Sequence, residues 1–342
     1  MPIILIDAPS NLGLKRPAAD HEPGTRFAPW QLRQLDLLAR LGAEDGGAAE
    51  PPAYSGERDP DSGILHSSLL APYAVQLADL IGAALARDGF PLVLGGDCSI
   101  ALGSALAMRR RGRHGLLFLD GHRDLLRAQD SRSGGAAGMD LALITGHGPN
   151  LLTRIDGHLP LVDPVDVLLF GHRDDDRWYS PPLLELAESS MRSIGLQSAR
   201  QQDIDRVFAR RLGALLDSGV DGFWIHLDVD VLDDLLMSAV DARQPEGMTA
   251  AEVERLLHAA LASGRCRGLH VSNYDPERDP GLACGRALVE ILVAGLQSLH
   301  PEALARAAEA PAESLESEPV EDGNVDEDRT QHGGDIPLRP ER

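Results

Sequence analysis

Short apolar runs alternate with amphipathic stretches along most of the chain. The runs predict strands at 3–7, 91–94, 115–120, 166–170, 222–228 and 267–271. Helical spacing predicts helices at 30–41, 72–87, 100–110, 202–216, 250–262 and 286–299. In the second of these, Val75, Leu77, Leu80, Ile81, Ala84 and Leu85 recur near the 3.6-residue period. Thr249 precedes the fifth, with Glu252 three residues on, which is a capping-box pair. Strand and helix taking turns predicts an α/β domain, a mainly parallel sheet with helices on both faces. In such sheets ligands bind beyond the carboxyl ends of the strands, so the residues that follow each run matter most.

Composition narrows the picture. With 43% apolar and 25% charged residues the chain is in the globular range, and 4% aromatics mean a core of Leu, Val, Ile and Ala. The 53 acids outnumber the 32 bases, for a net charge of −21. With no basic stripe to offset them, nucleic acid and anionic membranes are excluded as expected partners. Residues 309–342 hold 11 acids and 3 arginines and hardly any large apolar side chain, which predicts a disordered acidic tail after a single domain at 1–308. Cys98, Cys266 and Cys284 are far apart and odd in number, which fits reduced thiols. No apolar run approaches the ~18 residues of a membrane span. The opening MPIILIDAPS lacks a basic leader region, so a cytoplasmic protein is expected.

Three predicted strands end in chemistry. After 91–94 comes Gly95-Gly96-Asp97-Cys98-Ser99; at the end of 115–120 the chain reads Asp120-Gly121-His122-Arg123-Asp124; and 222–228 leads into Asp228-Val229-Asp230. Alternate residues of extended chain share a face, so Asp120, His122 and Asp124 can point at one spot, as can Asp228 and Asp230. Four clustered carboxylates repel one another without a cation, and carboxylate plus imidazole donors suit Mn²⁺, Mg²⁺ or similar ions.

GGDCS, DGHRD and HLDVDVLDD resemble, in that order, the GGDHS, DAHxD and SxDxDxLDP signatures of the arginase/agmatinase (ureohydrolase) family, over about residues 1–300. The resemblance implies a three-layer α/β/α, arginase–deacetylase-like fold. It also implies hydrolysis of guanidino or amidino C–N bonds with a pair of Mn²⁺ ions. Carried over, one ion would take Asp120, His122, Asp228 and Asp230. The other would take Asp120, Asp124, Asp228 and the residue at 98, which is Cys98 where the family has histidine. A thiol is a poor ligand for a hard ion, so one firmly bound Mn²⁺ is expected, with the second site weakened or shifted towards Zn²⁺. A small buried hydrophobe at a helix start is the other reading of Cys98.

Further departures bear on substrate. The family's S-G-N-x-H-G stretch aligns with 133–138, so its proton-shuttling histidine is Ala137, its asparagine is Gly135, and Ser133 is retained as a substrate contact. Asn273 stands where the family carboxylate pairs the guanidinium, with Asp275 and Glu277 as nearby substitutes. Asp176 falls where arginases contact the α-amino group, or is a turn acid. His226, inside an apolar strand, reads as a hydrogen-bonded core residue. The expectation is a metal-dependent hydrolase of a small linear amidine or guanidine (arginine, hydroxyarginine, agmatine or formimino-amino-acid type). Asp124 would be free to hydrogen-bond the attacking water, and a homo-oligomer is left open. A deacetylase-like amide hydrolase and a non-catalytic metal-binding relative are the alternatives.

Overall fold

The computed structural model describes residues 1–299, so the expected tail at 309–342 and its boundary lie outside the described residues. In chain order the elements are β1 (Ile3–Ala8), α1 (Ala28–Gln34), α2 (Leu37–Leu41), β2 (Glu44–Ala48), α3 (Ser67–Ala86), β3 (Phe90–Gly95), α4 (Ala101–Arg109) and β4 (Gly115–Leu119). They continue as α5 (Asp140–Ile144), α6 (Asn150–Thr153), β5 (Val167–Phe170), α7 (Pro181–Ser189), α8 (Leu196–Gln201), α9 (Ile204–Leu216), β6 (Phe223–Asp228), α10 (Ala250–Ala262), β7 (Cys266–Ser272) and α11 (Ala283–Gly295).

The strands form one seven-stranded sheet in the order β2-β1-β3-β7-β6-β4-β5, and every pairing is parallel. The central strands are buried on both faces, which is why they read as continuous apolar runs and not as alternation. Inward residues of α1, α2, α8, α9, α10 and α11 pack on one face, around Leu117, Ile225 and Leu269. Those of α3 to α7 pack on the other, around Val93, Phe118 and Leu169. The result is the expected three-layer α/β/α arrangement.

Six strands and the helix at Ala250–Ala262 lie where the pattern puts them, and Thr249 and Glu252 close the capping box reciprocally. Differences have local causes. The predicted helix 30–41 is two helices, broken where Asp36 takes a left-handed φ of 61°. Strand β2, of sequence EDGGA, carries no apolar alternation, and its half-exposed edge position needs none. Helix α3 starts at Ser67, ahead of Pro72, and its 20 residues are long and apolar enough to cross a membrane by length and composition, contrary to the sequence expectation. Here it is a core helix: Leu70, Leu77, Ala78 and Ile81 are buried against the sheet and α4.

The turn after β3 depends on Gly96. Its N–H donates to Ala8 O (3.0 Å) and its carbonyl accepts from Asn273 N–H (2.7 Å), tying the ends of β1, β3 and β7 together. A Cβ at Gly96 would sit 1.8 Å from the Ser10 carbonyl oxygen, so only glycine permits this approach. Gly96→Ala is expected to cost about 3 kcal/mol or more in denaturant unfolding, since backbone and not a flexible side chain must yield. A loss under about 1 kcal/mol would mean that the turn can relax away from Ser10.

Candidate metal centre

Strands β3, β7, β6 and β4 are consecutive in the sheet, so their carboxyl ends converge. They deliver Cys98, Asn273, Asp228 with Asp230, and Asp120 with His122 and Asp124. All of these are buried. Asp124 and Asn273 sit in left-handed backbone, with φ of 47° and 76°, where non-glycine residues are uncommon. Turn hydrogen bonds fix the carboxylates: Asp120 Oδ1 accepts His122 N–H (2.6 Å), Asp228 Oδ1 accepts Asp230 N–H (2.8 Å) and Asp230 Oδ1 accepts Gly121 N–H (3.0 Å). Arg173 does not neutralise these acids directly. Its guanidinium donates to the carbonyls of Asp230 (2.8 Å), Gln244 (3.0 Å) and Leu232 (3.2 Å), clamping the loop that carries Asp230.

Two groups have donor atoms all within 4.8 Å of one another: Asp120, His122 and Asp230, and Cys98, His226 and Asp228. In the first, His122 Nδ1 lies 2.9 Å from Asp230 Oδ2. In the second, the Cys98 thiol donates to Asp228 Oδ2 at 2.7 Å, and Asn273 Nδ2 donates to the same oxygen at 3.1 Å. Burial, then Asp228, push the Cys98 thiol well up, so it is a neutral S–H donor in this arrangement.

The tautomer of His226 follows from its neighbours. Trp224 Nε1–H donates to His270 Nδ1 (2.8 Å), and an indole N–H can only donate. His270 therefore carries its proton on Nε2 and donates to His226 Nδ1 (2.5 Å), leaving the His226 Nε2–H to face Asp120 Oδ2 at 3.3 Å. Burial pushes His226 down to about 3, so the ring is neutral. It is the hydrogen-bonded core residue expected, and it holds Asp120 in place.

Negative charge dominates. Burial, reinforced by neighbouring acids, raises Asp120, Asp124 and Asp228 well above the ordinary 3.8. Burial would lower His122, but Asp230 and the other acids lift it to about 9, so a proton there offsets part of the charge. Sequence reasoning missed Asp140 at the start of α5. Its two carboxyl oxygens are fully buried without a donor, beside Asp124, and no apolar-run or spacing signal pointed to it. Such a pair needs a shared proton or a cation between its members. The orphaned oxygens and the oxygen-rich donor set therefore fit a hard divalent cation.

A cavity of about 220 Å³ opens over the cluster, lined by Cys98, His122, Asp124, Ser133, Ala137, Asp228, Asp230 and Asn273 among others. Trp178 stands at its wall with its ring 6.0 Å from that of His122. Ser133 faces the cavity, its Oγ accepting Gly135 N–H (3.1 Å). At Gly135 a Cβ would lie 2.4 Å from Gly13 O, so the close backbone approach excludes any side chain in the family's asparagine position. Leu14, Cys98 and Ala137 pack together as a small apolar patch. Three expected residues are not at the cavity. Asp176 is 64% exposed and ion-paired with Arg123 (2.7 Å), which makes it a turn acid. Asp275 caps its own turn and pairs with Arg278, and Glu277 pairs with His21. The carboxylate that does line the cavity near Asn273 is Asp241, within an irregular segment no pattern singled out.

An α/β/α domain whose adjoining strand ends deliver a buried aspartate–histidine cluster defines the class of protein. The chain belongs to the arginase family, whose model matches residues 2–296. It is 32% identical over 240 residues to the arginase of Bacillus caldovelox, covering 68% of this chain and 77% of that one. It is 29% identical over 256 residues to the arginase of Staphylococcus aureus strain COL, covering 73% and 82%. The native structure of the Bacillus caldovelox arginase superposes with a TM-score of 0.77 at 24% identity, over 86% of this chain and 97% of that chain. A formimidoylglutamase from Bacillus subtilis gives 0.67 at 19% identity over 87% of each, a likeness of fold. Membership brings the reaction class with it, hydrolysis of non-peptide C–N bonds in linear amidines and guanidines.

Four raised carboxyl pKa values mean that the metal-free folded chain holds protons which the unfolded chain releases above 3.8. These carboxyls, with His122 raised to about 9, contribute stability that is lost as pH rises; Asp230 opposes them, and so below about 6.5 do His114, His147, His172, His226 and His270, which burial keeps neutral while the unfolded imidazoles take protons. Above about pH 7, where those histidines no longer contribute, chelator-treated protein should show a melting temperature that falls with pH, and saturating Mn²⁺ should raise it most at the upper end. A melting temperature that rises with pH over that range in the absence of metal would contradict the charge assignment.

Proposed function

We propose that this chain is a metal-dependent hydrolase that cleaves a C–N bond in a small linear amidine or guanidine. The observation that carries the reading is a buried cluster in which His122, Asp124, Asp228 and Asp230 line one cavity, with Asp120 buried beside His122 and Asp230, and with too little positive charge to balance the acids. Asp120, His122, Asp228 and Asp230 would hold the metal, Mn²⁺ suiting oxygen donors and one imidazole, which leaves Asp124 free to act on water. When bound, the cation supplies Lewis acidity that activates water and polarises the substrate.

The chain's own groups divide the remaining work. Asp124 is the acceptor for a proton of the attacking water, and Asp140 behind it is a second carboxyl with which that proton can be shared. Asn273 Oδ1 is buried, unpartnered and at the cavity, and so accepts an amidine N–H. It is a neutral acceptor, weaker than the charge-assisted pair a carboxylate makes with a guanidinium. Asp241 supplies a carboxylate beside it. Ser133 offers a hydroxyl along the wall. Asp176 makes no substrate contact in this reading, because Arg123 holds it outside the cavity.

Cys98 decides the metal count. As a thiol bonded to Asp228 it withholds a donor from the second position. Elemental analysis after Mn²⁺ reconstitution should give nearer one ion than two per chain, and Cys98→His should raise it. Two tightly held Mn²⁺ in the unmodified protein would refute this. Offered Zn²⁺ instead, the thiol can deprotonate and bind, which is the thiophilic alternative.

The reaction is tested with a panel of guanidines, amidines and acetylated amines, run with Mn²⁺ and with Zn²⁺. Urea or ammonia supports the proposal, acetate points to amide hydrolysis, and no product points to a non-catalytic relative. L-Arginine itself should be poor. Losing a charge-assisted contact costs ~1.5–3 kcal/mol, and losing a general acid–base group such as the one replaced by Ala137 costs ~10²–10⁴-fold in rate. A kcat/KM for L-arginine above ~10⁴ M⁻¹s⁻¹, the low end for ordinary enzymes, would mean that other groups rebuild the guanidinium site.

A further inference from the structure

Beside the acid cluster one buried acceptor stands idle. Among the described residues Gln244 Oε1 has no hydrogen-bond partner, while Nε2 of the same amide lies 2.8 Å from His122 Nε2. The other ring nitrogen, His122 Nδ1, faces the acids, 2.9 Å from Asp230 Oδ2 and 3.8 Å from Asp120 Oδ1. Nδ1 is therefore the atom that joins the donor group of Asp120, His122 and Asp230, and Nε2 is on the far side of the ring, towards Gln244.

Donor accounting decides which amide atom His122 must meet. An imidazole that ligates through Nδ1 is neutral and carries its one proton on Nε2. That Nε2–H needs an acceptor, and an amide NH₂ can only donate. As the amide stands it suits a ring whose proton is on Nδ1, directed at Asp230, and such a ring has no lone pair to offer a cation there. A half-turn about the Cγ–Cδ bond of Gln244 exchanges the amide atoms and brings the idle Oε1 to the Nε2–H. The turn trades one amide hydrogen bond for another.

The placement of Gln244 is itself fixed. Arg173 donates to the carbonyls of Gln244 (3.0 Å) and Pro245 (3.1 Å) as well as to that of Asp230 (2.8 Å). One guanidinium thus ties the segment that carries Gln244 to the turn that carries Asp230. Trp178 lies over the face of the imidazole, 20° from its plane. Both nitrogens and one face of His122 are held by separate parts of the chain.

We propose that Gln244 is a positioning residue for the metal: its Oε1 accepts the His122 Nε2–H and so fixes Nδ1 as the nitrogen offered to the cation. Arg173 sets Gln244 in place through the backbone. This rests on the reading above in which His122 is a ligand.

Calorimetric titration of the chelator-treated full chain with Mn²⁺ measures the contribution. Gln244→Met keeps the reach of the side chain and removes the acceptor, and should weaken Mn²⁺ binding about 10–100-fold, the range for groups that orient a ligating histidine. Gln244→Glu keeps an acceptor and should bind Mn²⁺ at least as tightly as the unmodified protein. NMR of the ¹⁵N-histidine-labelled unmodified chain, loaded with diamagnetic Zn²⁺, should place the His122 proton on Nε2, a readout that needs no variant to fold. A proton on Nδ1 in that spectrum, a loss below about fivefold in Gln244→Met, or an equal loss in Gln244→Glu would overturn the assignment. Unmodified protein that takes up no Mn²⁺ would overturn the metal reading and the assignment with it; normal uptake indifferent to Gln244→Met would overturn the assignment alone.

Discussion

Unbalanced negative charge, buried where two central strands end, is the constraint on which this structure turns. Asp120, Asp124, Asp140, Asp228 and Asp230 stand together with the protonated His122 and the neutral His226 imidazoles beside them, while Arg173 spends its donors on backbone carbonyls. Isolated ionised carboxylates are costly to bury, and so several of these are pushed towards their protonated forms. Holding them in place takes an all-parallel sheet, a turn that only glycine can make at position 96, and a polarised chain from Trp224 through two histidines to Asp120. The scaffold is rigid because the charge it carries is unfavourable.

Across the cavity from these acids, part of the wall is uncharged. Ala137 and Leu14 make an apolar wall, Gly135 leaves no room for a side chain, and Asn273 presents an uncharged acceptor. These features support one another physically. The Gly13 backbone that approaches Gly135 also receives the Ala137 N–H. These residues form one connected surface.

Much of this was legible in the chain itself. Buried parallel strands announce themselves as unbroken apolar runs, and the charged residues that end such runs cannot be core, so Asp120, His122, Asp124, Asp228 and Asp230 stood out by position alone. The edge strand Glu44–Ala48 did not, because a strand with no buried face has no pattern to show. Asp140 and Asp241 were hidden for a related reason. Asp140 opens the short helix α5 beside Asp124, Asp241 lies in irregular chain at the cavity, and neither has spacing to a neighbouring donor. For Asp176 the sequence left a substrate contact and a turn acid both open, because an alignment gives a position and says nothing of direction; Arg123 pairs with that side chain outside the cavity.

Trp178 gives the cavity an optical consequence. The chain has three tryptophans; Trp224 is buried, while Trp30 is 60% exposed and Trp178 is 51% exposed. Only Trp178 lies over a titrating ring, stacked within 20° of the His122 plane. A protonated imidazole quenches an indole that it faces, and a cation bound by His122 requires that proton to leave. Intrinsic emission should therefore brighten as metal enters, and Trp178→Phe should abolish the response. The protein carries its own dye for the step that loads its centre.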